Sequence, residues 1–287
     1  MKMKRKTYLA IFMSLFLLLV GCKKESTVKQ ASNQSTPASE EIKKSNIPTV
    51  FIHGYSGSNK TLKGMTHRFE KLGFSTDTME MVVSKKGEIS TSKNSNQSFQ
   101  KNNPVIRLAF EDNKTHQWDQ AEWIKVALSY LKTNYGVNEV NLVGFSMGGI
   151  SSFLYLETYP NDDKLPKVNK LVAIGAPFNE FIEIKDQQGE DILRNGPMQV
   201  SPQLENYRDL SKNLKKETSF LLIAGQISEI DKSDGTVPLN SSLGIYSLLE
   251  EKGIEVKSET IYGVNAGHSD LRKNEEVDEY IAEFLWR

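Results

Sequence analysis

Cysteine is almost missing from this 287-residue chain: there is one, Cys22, so no internal disulfide can form. Histidine is nearly as scarce, at four. No cluster of His, Cys and carboxylates has the spacing of a ligand set, so no metal and no organic cofactor is expected. The apolar run from Tyr8 to Val20 holds 13 residues, too few for the roughly 20 that a membrane-spanning helix needs. Charge of one sign is lacking too, since 36 Lys and Arg face 36 Asp and Glu. With no basic stripe interleaved with aromatics, nucleic acid is not an expected partner. There is no internal repeat.

The short apolar run has a use in the place where it stands. Lys2, Lys4, Arg5 and Lys6 precede it, which is the layout of an export signal. It ends in Leu19-Val20-Gly21-Cys22, and here the N-terminus resembles a bacterial lipoprotein, whose lipobox has the form Leu-x-Gly-Cys. That resemblance implies a signal peptide over residues 1–21, cleavage before Cys22 and a lipid on its sulfur. The protein is then exported and held on the outer face of the cell membrane. Lipidation would also remove an otherwise free exposed thiol. Residues 22–46 are rich in Lys, Ser, Gln, Thr and Glu. Such a segment buries too little to order itself and is expected to be a flexible tether, reaching roughly 25–30 Å.

Residues 47–287 have the length and apolar content of one large domain. Apolar strands alternate with helical segments along it, the signature of a mostly parallel sheet flanked by helices. Pro48 to Ile52, Ser75 to Val83 and Pro104 to Phe110 read as strands, with a weak strand near Ile89. Gln117 to Tyr135 reads as an amphipathic helix capped by Gly136. Strands are expected again near 137–143, 170–175, 219–225 and 257–262, with helices over 241–250 and 275–286.

The chemistry centres on Gly144-Phe145-Ser146-Met147-Gly148. A short apolar strand leads in, and Ile150, Phe153 and Leu154 recur behind it at helical spacing. Strand, tight turn and helix give the G-x-S-x-G pattern mechanical meaning: the turn strains the backbone and pushes the Ser146 hydroxyl out at the strand end. A serine hydroxyl is a weak nucleophile and needs a base, itself oriented by an acid. Of His53, His67, His116 and His268, only His268 follows the serine, directly after the last strand. The acid belongs after the penultimate strand, where Glu229, Asp231 and Asp234 are available. Asp234 is favoured over Asp231 because Asp-Gly turns sharply and Val237-Pro238 fixes the loop exit. Ser233 is expected to cap that turn. Strand Pro48–Ile52 runs into His53-Gly54-Tyr55-Ser56-Gly57, whose backbone must come close to something. The Tyr55 and Met147 amides are the candidate oxyanion donors, with His53 a structural hydrogen-bonder.

These three motifs, in the order serine, acid, histidine, resemble the α/β-hydrolase superfamily from about residue 47 onward. More narrowly they resemble exported hydrolases of low-GC Gram-positive bacteria. Phe145 departs from those relatives, which often carry His there. The resemblance implies an α/β-hydrolase fold in which residues 179–216, between the sixth and seventh strands, form a small cap or lid; an ordinary pair of surface helices is the other reading. The activity expected is hydrolysis of an ester-like acyl bond on a small or lipid-like substrate, through Ser146, Asp234 and His268. A peptidase or acyltransferase on the same scaffold, or a surface binding protein without chemistry, stays open. Oligomeric state is not legible.

Overall fold

The computed structural model describes residues 41–92, 99–184 and 186–287. The signal peptide, Cys22 and most of the expected tether lie outside the described residues. Among the described residues no helix is long and apolar enough to cross a membrane.

Eight strands form one sheet. In chain order they are β1 (Thr49–Ile52), β2 (Thr76–Val83), β3 (Ile89–Thr91), β4 (Pro104–Phe110), β5 (Glu139–Phe145), β6 (Lys167–Ile174), β7 (Ser219–Gln226) and β8 (Val256–Tyr262). Their spatial order is β3-β2-β4-β1-β5-β6-β7-β8. All neighbours pair in parallel except the edge strand β3, which runs antiparallel to β2. Parallel strands must be covered on both faces, and the central ones read as unbroken apolar runs for that reason. Within them side chains alternate between two cores. Val50, Ile52 and Leu142 enter one, with Met79, Met81 and Val83 of β2. Phe51 and Val143 enter the other.

Helices supply the covering layers. The first core is closed by α2 (Gln117–Tyr135) and α3 (Met147–Thr158), and Ala121, Ile124, Leu128 and Leu131 form the buried stripe of α2. The α2 helix stops where Gly136 turns left-handed at φ 65°, the αL cap that a residue without Cβ permits. The second core is closed by α1 (Lys63–Lys71) and the C-terminal α9 (Glu275–Trp286), whose Phe69 and Trp286 rings meet edge-on at 5.1 Å. An Arg68–Asp278 ion pair ties the same two helices.

Three boundaries differ from the sequence-based expectation. The tether does not extend to residue 46. The Ser45 amide donates to Asn103 Oδ1 at 2.8 Å, Asn103 N donates back to Ser45 O at 2.9 Å, and Ile42 packs on the second core. The expected helix 241–250 is two pieces, α6 (Leu239–Ser242) and α7 (Tyr246–Glu251). The break falls over residues 243–245, where the Gly244 and Tyr246 amides donate three residues back, to Ser241 O and Leu243 O at 3.1 and 2.9 Å. Residues 179–216 carry α4 (Gly189–Asn195), α5 (Pro202–Leu210) and a 3-10 turn. Leu204 and Tyr207 of α5 are fully buried, and Tyr207 meets Phe153 of α3 at 5.6 Å. This half of the segment is part of the core, as surface helices are, and does not stand off as a separate cap.

Candidate active site

The topology brings four loops to the carboxyl edge of the sheet. The loop after β1, the turn after β5, the loop after β7 and the turn after β8 come from strands in the middle and one end of the same sheet. In open parallel sheets ligands bind in the crevice outside these strand ends.

Ser146 sits in the turn between β5 and α3 with φ 55° and ψ −125°. A non-glycine residue there is strained by about 1–3 kcal/mol, a cost that persists only where the surroundings impose it. Here the surroundings are tight: a Cβ on Gly148 would lie 2.5 Å from the Ile52 carbonyl oxygen. The Ser146 amide donates to Ile174 O at 2.8 Å, fastening the turn to β6. Its hydroxyl lies 3.0 Å from His268 Nε2.

His268 opens a one-turn helix, α8 (His268–Leu271), shortly after β8. Its Nδ1 is 2.6 Å from Asp234 Oδ2, and its backbone amide donates to Asp234 O at 2.7 Å. Asp234 is buried. Its other oxygen, Oδ1, accepts from the Thr236 and Val237 amides at 2.9 and 2.6 Å. A buried carboxylate is tolerable only when its lone pairs are used in this way. With one face of the carboxylate spent on the turn, the other is aimed at the imidazole.

The competing acid is placed differently. Asp231 Oδ1 accepts from Ser233 Oγ at 2.5 Å, and Ser233 Oγ accepts from the Gly235 amide at 2.9 Å. Ser233 therefore organises the turn, as expected, and occupies Asp231 in doing so. Glu229 lies in the same loop, with no hydrogen bond to His268. The Phe145 ring is buried against the imidazole, with centroids 4.8 Å apart and planes at 35°.

The loop after β1 closes the other side. A Cβ on Gly54 would lie 2.8 Å from Ser146 Cβ and 3.4 Å from its Oγ. His53 accepts the Phe110 amide on Nε2 at 3.1 Å, so its proton sits on Nδ1, which donates to Gly54 O at 2.7 Å. Burial pushes the His53 pKa down, partly offset by that backbone hydrogen bond, so the ring stays neutral and acts as a brace. Its Nε2 is committed to a backbone amide, which leaves it no part as a base. Among the described residues neither the Tyr55 nor the Met147 amide donates to a protein acceptor. Both belong to residues adjoining the Gly54–Ser146 contact. Gly54→Ala is expected to lower whatever turnover the site supports about 10²-fold or more, because the loop must retreat and carry the Tyr55 amide with it. Steady-state kinetics beside an unchanged thermal midpoint would check this.

Two supports were not legible in the sequence. Asn113 fastens the loop after β1: its Nδ2 donates to Gly57 O at 2.8 Å, and its carbonyl accepts the Ser56 amide at 2.6 Å. Gly175, at φ 54°, lies under the acid–histidine pair, where a Cβ would come within 3.1 Å of Asp234 Oδ2. Neither residue stands in a pattern that would single it out.

Residues 36–287 match the family described as alpha/beta hydrolase of unknown function, DUF915. The chain belongs to this family of α/β hydrolases. Its fold is similar to that of the lin2722 gene product of Listeria innocua, at TM-score 0.75 and 29% identity over 83% of this chain and 93% of that one. It is also similar to a Lactobacillus plantarum protein provisionally named a cell surface hydrolase, at TM-score 0.64 and 24% identity over 83% and 91% of the two chains. Among curated proteins none matches. The likeness fixes the fold of this α/β hydrolase and leaves its substrate to be argued from the site.

Proposed function

We propose that this α/β hydrolase is a serine esterase that cleaves a carboxylic ester through an acyl-enzyme. The observation that carries the reading is the pair of hydrogen bonds on His268, to Ser146 Oγ and to Asp234 Oδ2 at 3.0 and 2.6 Å. Neutral His268 accepts the Ser146 proton on Nε2 as the hydroxyl oxygen bonds to the ester carbon. Asp234 holds the Nδ1 proton and steadies the imidazolium that forms. The Tyr55 and Met147 amides receive the negative charge that develops on the carbonyl oxygen, a contribution of about 3–4 kcal/mol per donor in enzymes of this kind. His268 then protonates the departing alkoxide. Water enters, gives its proton to His268 and releases the acid, and Ser146 regains its proton.

Location is part of the same proposal: Cys22 carries a lipid after export, and the domain works at the outer membrane face. The intact mass of membrane-extracted protein tests it, because retention of residues 1–21 would end the idea. For the chemistry, a fluorophosphonate probe at neutral pH should modify Ser146 alone, as located by peptide mass spectrometry. Ser146→Ala protein that still hydrolyses short p-nitrophenyl esters would refute the esterase reading. Adding an alcohol acceptor or an amide substrate to the same assay separates hydrolysis from acyl transfer and from peptide cleavage.

A further inference from the structure

The carboxyl edge of the sheet carries more than the hydrogen-bonded residues. Among the described residues eight large apolar side chains stand exposed. Tyr55 follows β1, and Trp118 is in the first turn of α2, the helix after β4. Phe181 and Met198 belong to the segment after β6, and Ile230 to the loop after β7. Tyr262 ends β8 and Val264 stands just beyond it. Six of the eight thus stand at or shortly after strand carboxyl ends; Met198 follows α4, but its neighbour Gln199 is hydrogen-bonded back to Asn179 beyond β6, while Leu72 ends α1. Ile230 and Val264 are 88% and 90% exposed, and each precedes a member of the acid–histidine pair by four positions. These two side chains bury almost nothing within this chain.

We infer that this apolar rim docks the catalytic edge onto a lipid layer, so that an ester substrate enters the site from the layer and not from free solution. The inference rests on the esterase reading for its substrate and on the rim alone for its docking. The rim is dispersed over five connections and interrupted by polar residues such as Ser56, Asn59, Glu229 and Asn265. A protein partner would be met by a continuous apolar centre with a polar border. A lipid layer instead accepts protruding side chains one at a time. The residue types suit that medium: Phe181, Met198, Ile230 and Val264 are wholly apolar. Tyr55, Trp118 and Tyr262 pair a ring with one polar atom, as side chains at headgroup depth do. Charge does not supply the attraction, because Lys60, Lys114 and Lys232 on these loops are outnumbered by acids such as Glu111, Asp112, Glu180 and Glu229. A neutral phosphatidylcholine vesicle is therefore the fitting probe.

The full chain with Cys22→Ser loses its one native thiol, so a polarity-sensitive fluorophore can be placed at Val264→Cys or, as the control, at Leu72→Cys. The apolar run near the N-terminus can tie either protein to vesicles, but only rim insertion distinguishes the two labels. On phosphatidylcholine vesicles the label at 264 should shift to the blue and be quenched by spin-labelled acyl chains, while the label at 72 should not. In the second arm, Phe181→Ser with Ile230→Ser should slow hydrolysis of a vesicle-embedded ester roughly tenfold or more, with p-nitrophenyl acetate hydrolysis in solution unchanged. Equal quenching at both positions, or equal loss on both substrates, overturns the inference. So does a response at 264 that follows protein concentration without vesicles, which would make the rim a contact between copies. If the parent protein hydrolyses neither ester, the esterase reading fails, and the fluorescence arm still decides the docking.

Discussion

Asp234→Asn should lower kcat on a short p-nitrophenyl ester about 10⁴-fold, the scale seen when a triad acid becomes an amide, whereas Asp231→Asn should leave it nearly unchanged. The two acids are three positions apart in one loop, yet their hydrogen bonds divide them. Asp234 Oδ2 faces His268 Nδ1, and its Oδ1 is held by the Thr236 and Val237 amides. An asparagine can still accept those two amides through its oxygen, so the turn keeps its shape and the protein should fold. What changes is the group facing the imidazole. An NH2 there can only donate, which forces Nδ1 to accept and places the ring proton on Nε2. The ring would then donate to Ser146 Oγ instead of taking its proton. Asp231 touches Ser233 and not the imidazole, so its amide variant exchanges a charge-assisted hydrogen bond within the loop for a neutral one and removes no step of the reaction. Single-turnover acylation alongside circular dichroism separates the two outcomes. Comparable loss in both variants, or greater loss in Asp231→Asn, would remove Asp234 from its assigned role.

The choice between these acids shows what a sequence of this kind can and cannot convey. The positions of the strands along the chain follow from apolar runs that parallel packing makes conspicuous, but their order in the sheet does not. Val50 to Ile52 and Leu142 to Val143 are buried on both faces of the sheet, so they could be read as strands without knowing their partners. The serine and histidine were legible because the fold prescribes their order and few candidates existed. The partners that hold them in place were not. His53 braces the loop after β1 through Phe110, fifty-seven positions away, and Asn103 captures Ser45 across fifty-eight. Such contacts have no local period and no composition bias. The same holds at the N-terminal boundary: residues 42–46 have the composition of a tether, and what anchors them is Asn103, far along the chain. The segment 241–250 after β7 reads as one helix in the sequence. Its break lies at 243–245, where the backbone bonds tighten to three-residue turns around Gly244, and apolar spacing alone does not register that change.

Glu157→Gln should stabilise the protein by about 3 kcal/mol at pH 7, and by almost nothing below pH 4.5. Glu157 lies in the last turn of α3, fully buried, with neither carboxyl oxygen hydrogen-bonded. Desolvation pushes its pKa up from 4.5 to about 9, against the Lys252 charge, which pulls it down. The direction of the pH effect follows from which state holds the proton. Below pH 4.5 the side chain is protonated both folded and unfolded, and it has no differential cost. Between 4.5 and 9 the unfolded chain releases the proton while the folded chain keeps it, so stability falls as pH rises by about 1.4 kcal/mol per unit. From 4.5 to 7 that amounts to about 3 kcal/mol. Glutamine keeps the size and the neutral polar end of the protonated acid but cannot ionise, so it escapes the whole slope. Tyr207, whose hydroxyl is also buried and whose pKa is raised chiefly by burial and then by Glu157, stays neutral across this range and leaves the sign unaltered. Urea midpoints of the two proteins at pH 5 and pH 8 provide the measurement. The gap should be small at pH 5 and wide at pH 8. A gap of constant size would mean that Glu157 matters through packing alone, and no gap at pH 8 would mean that water reaches the carboxylate in the folded state.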